Sequence, residues 1–211
     1  PAMKRGSVVV ACATVPPGFA RDMADRCADY GVHYLDAPIS GGAAKAAAGR
    51  LSIMASGTVQ AFAAAATVLD ATAEKVFTLG DAAGAGSAMK AVNQLLAGVH
   101  IAAMAEALTF GLSQGVSAEK FVEVIPECAG TSWMLENRAP HIVAGDYTPH
   151  SSVNIWPKDL GIVLDIARGA GFEAPVTEAA LAQFVEAAAM GLGGEDDAAV
   201  AKVYAARAGV A

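Results

Sequence analysis

Short apolar runs alternate with longer periodic segments over the first 80 residues. Residues 7–13, Ser-Val-Val-Val-Ala-Cys-Ala, are a β-branched apolar run that predicts a buried strand. Pro16 and Pro17 then suit the first turn of a helix, which the spacing carries to about Tyr30 and Gly31 closes. Residues 32–37 read as a second strand, ended by Pro38, and residues 51–55 as a third. Residues 59–69 read as an alanine-rich helix, and residues 75–79 as a fourth strand closed by Gly80. This alternation implies an α/β layer with parallel pairing.

After Gly80 the pattern changes. Residues 84–115 contain no proline and consist mostly of good helix formers, which predicts one helix of about 30 residues, roughly 45 Å long at 1.5 Å per residue. Further helices are expected with Ser117, Thr131, Thr177 and Asp196 or Asp197 as caps, and one opened by Pro157. The fold class is therefore α/β followed by all-α, with boundaries at residues 1–82 and 83–211.

Composition narrows the function. Hydrophobic residues make up 55% of the 211 and charged residues 17%, so the chain is a packed globular protein. The net charge of -7 argues against nucleic acid as a partner. Cys12, Cys27 and Cys128 show no metal-ligand spacing, and an odd, sparse set predicts reduced thiols and a cytoplasmic setting. The four histidines form no ligand pair, so no metal is expected. No uninterrupted apolar run reaches the ~18 residues of a membrane span. Pro1-Ala2-Met3-Lys4 does not read as a natural start, which predicts a piece of a longer or processed protein.

Three places carry candidate chemistry. In Asp36-Ala37-Pro38-Ile39-Ser40-Gly41-Gly42, the last three residues offer a hydroxyl and two backbone N–H groups unobstructed by side chains, a cradle suited to a carboxylate. On the long helix, Lys90, Asn93, Gln94 and Ala97 share one face of a segment that is otherwise apolar all round. A lysine there sits either at the wet end or in a polar pocket, where desolvation lowers its pKa toward the range of a general acid/base. Lys158 opposes the helix dipole beside Pro157, which suits either a bound anion or a solvated lysine offset by Asp159. Gly84-Ala85-Gly86 imitates the start of a dinucleotide fingerprint, but Met89 stands where the third glycine belongs, so a tight turn into the helix is the better reading. The acidic run Glu195-Asp196-Asp197 reads as a solvated cap.

Four segments, in order, resemble motifs of the β-hydroxyacid dehydrogenase family: Ala13-Thr14-Val15-Pro16, residues 36–51, Lys90-Ala91-Val92-Asn93-Gln94 and Lys158-Asp159-Leu160. The resemblance covers essentially the whole chain. It implies the C-terminal half of a Rossmann-type domain plus a helical domain built on one long central helix. It also implies hydride transfer between NAD or NADP and a small hydroxy acid. Ser40, Gly41 and Gly42 would hold the substrate carboxylate, Lys90 would exchange the hydroxyl proton, and Asn93 and Gln94 would position the substrate. Thr14 and Lys158 would lie by the cofactor. The stretch Ser151-Ser152-Val153-Asn154-Ile155 and the Lys90 helix look most like the branch acting on four-carbon sugar acids such as threonate.

The family's opening βαβ unit, with its pyrophosphate loop, has no counterpart here. Weak cofactor binding and impaired activity are therefore expected of these 211 residues alone. Lys45 and Arg50 depart from the family pattern and would either widen acid preference or face solvent. A non-catalytic module of the same fold and an imine reductase are the alternatives, and Lys90 argues against both. A homodimer or higher oligomer is expected, because alanines and Gly98 permit close helix approach and half a sheet leaves an open edge.

Overall fold

The computed structural model describes residues 3–210, in two compact units, Pro1–Asn93 and Gln94–Ala211. In the first unit, β1 (Val8–Ala11) is followed by α1 (Pro17–Asp29), β2 (His33–Asp36), β3 (Ile39–Ser40), α2 (Gly42–Ala47), β4 (Leu51–Ala55), α3 (Val59–Thr72) and β5 (Ala73–Thr78). β1 and β2 are parallel, with Val8 opposite His33 and Ala11 opposite Asp36. β4 is antiparallel to β3 and parallel to β5. A lone antiparallel bridge, Asp36 with Ser56, ties the two sheets together.

The core of this unit follows from the spacing. Ala61, Ala65 and Leu69 recur every four residues on α3 and bury one stripe against Leu35, Leu51, Ile53 and Ala55 of the strands. Thr58 caps α3 by accepting the Ala61 N–H at 3.2 Å.

The long helix is α4 (Ala85–Ser113). It is followed by α5 (Ala118–Val124), α6 (Trp133–Ala144), α7 (Ile155–Gly169), α8 (Pro175–Ala187) and α9 (Ala201–Ala208). By length and hydropathy α4 meets the requirement for a membrane span. Its Ile101, Met104, Ala105 and Leu108, however, are buried in the core of the second unit with Trp156, Leu160, Phe184 and Val203. Trp156 and Phe184 stack with centroids 5.4 Å apart.

Gly98 lets α7 come close to α4. A Cβ there would lie 2.9 Å from Trp156 Cε3 and from Leu160 Cδ2. Overpacking costs about 1–3 kcal/mol, and alanine returns about 1 kcal/mol of helix propensity. Gly98→Ala is therefore expected to lower stability by about 1 kcal/mol, read as a lower urea midpoint. An unchanged midpoint would mean that the two side chains give way freely.

Four sequence readings need correction. Pro157 does not open α7, which begins two residues earlier at Ile155 with Asn154 at the cap position. Ser132, not Thr131, caps α6, accepting the Leu135 N–H at 3.1 Å, and the helix continues past Pro140 to Ala144. Thr177 is not a cap but a buried residue inside α8, which Pro175 opens instead. The acidic run is not solvated. Asp196 does cap a 3₁₀ turn, accepting the Ala198 N–H, but both Asp196 and Asp197 are fully buried. Their partner Arg138 lies 59 residues away from Asp197, where spacing gives no hint of it.

Candidate functional site

Each candidate residue sits at the end of an element or on a buried helix face. Thr14 is half-buried in the loop that leaves the carboxyl end of β1 and enters α1 at Pro17. In open parallel sheets this is the end at which nucleotides bind. Ser40 ends β3, paired with Ser52 of β4. Gly41 and Gly42 follow with φ of 128° and 68°, backbone that a side chain would strain. The stretch after Ser40 is thus not an open loop, because it winds at once into the short helix α2. The stem of Lys45 folds over Gly41, where a Cβ would meet it at 2.8 Å.

Lys45 and Arg50 face solvent in an ion-pair group with Glu74, at 3.9 Å and 2.8 Å. The hydrogen bond and charge of Arg50, with a smaller contribution from Lys45, hold the Glu74 carboxyl below its ordinary value. Both cations are thus paired with Glu74.

On α4, Lys90 and Gln94 are buried, at 8% and 7% exposure, and Asn93 is half-buried. Their spacing of three and four residues puts them on one helix face. Of the two environments the sequence allowed Lys90, the structure gives the buried one. Gln94 Nε2 donates to Asp159 Oδ2 at 2.6 Å. Lys158 Nζ stands 2.9 Å from Asp159 Oδ1, an ion-pair distance at which the angles make no hydrogen bond. The Lys158 side chain itself is 59% exposed. Gln94 and Lys158 are thus joined through a buried carboxylate.

Sequence reasoning missed two carboxylates. From the sequence Asp159 reads only as an offset for Lys158. From the sequence Asp36 reads only as part of the strand leading to the Ser40 cradle, yet it is wholly buried and accepts four hydrogen bonds. An acid at the end of a buried strand must find partners, and that is the signal available.

Two cavities lie apart from these residues. One of about 360 Å³ in the first unit is lined by Arg21, Asp25, His33, Tyr34 and Thr58 among others. Another of about 390 Å³ in the second unit is lined by His100, Met104, Phe121, Thr131 and Ser132 among others. None of the candidate residues lines either. Among the described residues no group of three or more His, Cys, Asp or Glu could hold a metal ion.

Comparison with known proteins gives the family. Residues 84–204 match the family described as "NAD-binding of NADP-dependent 3-hydroxyisobutyrate dehydrogenase". Residues 1–80 match the "NAD binding domain of 6-phosphogluconate dehydrogenase". The chain is 54% identical to L-threonate dehydrogenase of Cupriavidus necator over 203 residues, 96% of this chain and 68% of that protein. It is 46% identical over 202 residues to L-threonate dehydrogenase of Escherichia coli K12, covering 96% of this chain and 67% of the relative. The crystal structure of a 3-hydroxyisobutyrate dehydrogenase from Salmonella typhimurium superposes with a TM-score of 0.92 at 46% identity, over 95% of this chain and 70% of that one. Both units, the buried lysine helix and these likenesses lead to one assignment: the chain belongs to the 3-hydroxyisobutyrate dehydrogenase-like β-hydroxyacid dehydrogenases, which transfer hydride between NAD or NADP and a small hydroxy acid.

Proposed function

We propose that the substrate is a four-carbon sugar acid, L-threonate or a close relative, and that the protein is a cytoplasmic homodimer or higher oligomer. The observation that carries the substrate reading is the 54% identity to an L-threonate dehydrogenase over 96% of the chain. Ser40 Oγ and the N–H groups of Gly41 and Gly42 donate hydrogen bonds to the substrate carboxylate. Lys90 Nζ, entering as the neutral amine, accepts the hydroxyl proton during oxidation and returns it during reduction. Asn93 and Gln94 orient the hydroxyl groups, and the Asp159 carboxylate fixes the amide of Gln94.

The residues present suit the nicotinamide end of the cofactor. Thr14 leaves the carboxyl end of a parallel strand, and Lys158 offers an exposed cation held beside Asp159. The dinucleotide, when bound, supplies the hydride acceptor. In this reading residues 1–82 serve the cofactor, while residues 83–211 carry the lysine and the subunit contact. Association is supported by Met89, Val92 and Leu96, which are 44–55% exposed along one face of α4, and by Phe77 on the edge strand β5, 40% exposed.

The test is an NAD(P)H-formation assay of the complete enzyme with L-threonate, D-threonate, 3-hydroxyisobutyrate, tartronate and L-serine. The expected result is the highest kcat/KM for L-threonate. A higher value for 3-hydroxyisobutyrate would replace the sugar-acid reading with a branched-acid one.

A further inference from the structure

The turn Gly84-Ala85-Gly86-Ser87 is tied to the strands of the first unit by a cluster of buried hydrogen bonds. At its centre is Asp36, 0% exposed at the end of β2. A buried carboxylate is costly unless several donors meet it. Asp36 Oδ1 accepts from Ser87 Oγ at 2.6 Å. Oδ2 accepts from the N–H of Gly84 at 2.9 Å, the N–H of Ser87 at 2.8 Å and Ser56 Oγ at 3.2 Å. Ser56 Oγ in turn accepts the N–H of Gly86 at 2.9 Å. Three N–H groups at the start of α4 are thus satisfied from the strands, and a negative charge at this end also suits the helix dipole.

This differs from three side-chain caps of α-helices elsewhere in the chain. Thr58, Ser117 and Ser132 each cap the helix they precede by accepting an N–H three residues on. Asp36 reaches α4 from 48 to 51 residues upstream. Its own strand leads four residues later to Ser40, and Ser87 stands three residues, one helical turn, before Lys90. Gly86 removes any slack, since a Cβ there would lie 2.4 Å from the Met54 carbonyl oxygen and 2.8 Å from that of Asp36. Any rotation of α4 about its axis, at about 100° per residue, would swing Lys90 off its direction and break these bonds together.

We propose that Asp36 is a positioning residue, which fixes the general acid/base Lys90 in register with the Ser40–Gly42 cradle. The proposal rests on the reading of Lys90 as the acid/base. A carboxylate that merely stabilised the fold would lower the melting temperature and leave kcat per folded molecule alone. A positioning carboxylate acts on kcat through Lys90.

The experiment measures kcat, both KM values and Tm for the complete enzyme carrying Asp36→Asn, Lys90→Ala and the two together. Asp36→Asn is expected to lower kcat about 10- to 100-fold, with little change in cofactor KM. In the Lys90→Ala background it is expected to cost no further activity. A lower Tm with unchanged kcat, or losses that multiply in the double variant, would overturn the inference while leaving the role of Lys90 standing. Full kcat in Lys90→Ala would overturn both. If Asp36→Asn does not fold, Ser87→Ala, which removes only the 2.6 Å bond to Oδ1, takes its place in the same cycle.

Discussion

Lys90→Ala is expected to lower kcat by about 10²- to 10⁴-fold, the usual loss when a general acid/base is removed. Substrate and cofactor KM should change far less, because the carboxylate and the dinucleotide are held by other residues in this reading. The argument starts from burial. Lys90 is 8% exposed on a helix whose neighbours are mostly apolar, and a lysine is kept there against a desolvation cost only if its charge or its proton is used. Lys90→Arg separates the two uses. A guanidinium keeps the positive charge but cannot surrender its proton near neutral pH. The arginine variant should therefore be about as slow as the alanine one, and added ethylamine should restore part of the rate only to the alanine variant. Near-normal kcat with arginine would assign Lys90 an electrostatic role and remove proton transfer from the mechanism.

The sequence was readable where local chemistry decides the outcome. Leu51–Ala55 is bounded as the β-branched and apolar run predicts, and α4 begins and ends within two residues of the glycines that limit it. The shared helix face of Lys90, Asn93 and Gln94 was legible because three- and four-residue spacing is all that such a face requires. What escaped depends on partners distant in sequence. Asp36 is paired with residues 20 to 51 positions on, Asp159 with Gln94 65 positions back, and Asp197 with Arg138 59 positions back. Each is an acid that would be solvated if its nearest sequence neighbours were its surroundings. β3 and α2 escaped for a different reason. Gly41 and Gly42 read as an open loop, whereas their positive φ values turn the chain directly into a helix.

The largest stability effect is expected at Arg138. Its Nε donates to Asp197 Oδ1 at 2.5 Å, and Trp156 Nε1 donates to Asp197 Oδ2 at 3.0 Å, with both charged residues buried. Burial pushes the Asp197 carboxyl above its ordinary value, and the charge and hydrogen bond of Arg138, with the bond from Trp156, pull against it. Arg138→Met removes the pull and keeps the burial, which leaves an uncompensated carboxylate and should cost about 3–5 kcal/mol at neutral pH. The pH dependence has a definite sign. A carboxyl whose pKa is higher folded than unfolded binds its proton more tightly in the native state, so the variant gains stability as pH falls through the raised value. The deficit should therefore be greatest at neutral pH and shrink toward mild acid. Asp196 works in the opposite direction. Burial raises it, but hydrogen bonds from the N–H groups of His150 and Ala198 and from His141, with the charge of Arg138, leave it below its ordinary value. Its contribution is lost only as pH drops below about 4, so the difference between variant and parent in urea titrations between about pH 5 and 8 reports on Asp197 rather than Asp196. Adding Asp197→Asn to Arg138→Met removes the orphaned charge while keeping an acceptor for Trp156, and should recover much of the loss. An Arg138→Met variant with near-wild-type stability, flat across that range, would show that Asp197 is reached by water and that the buried pair does not hold the second unit together.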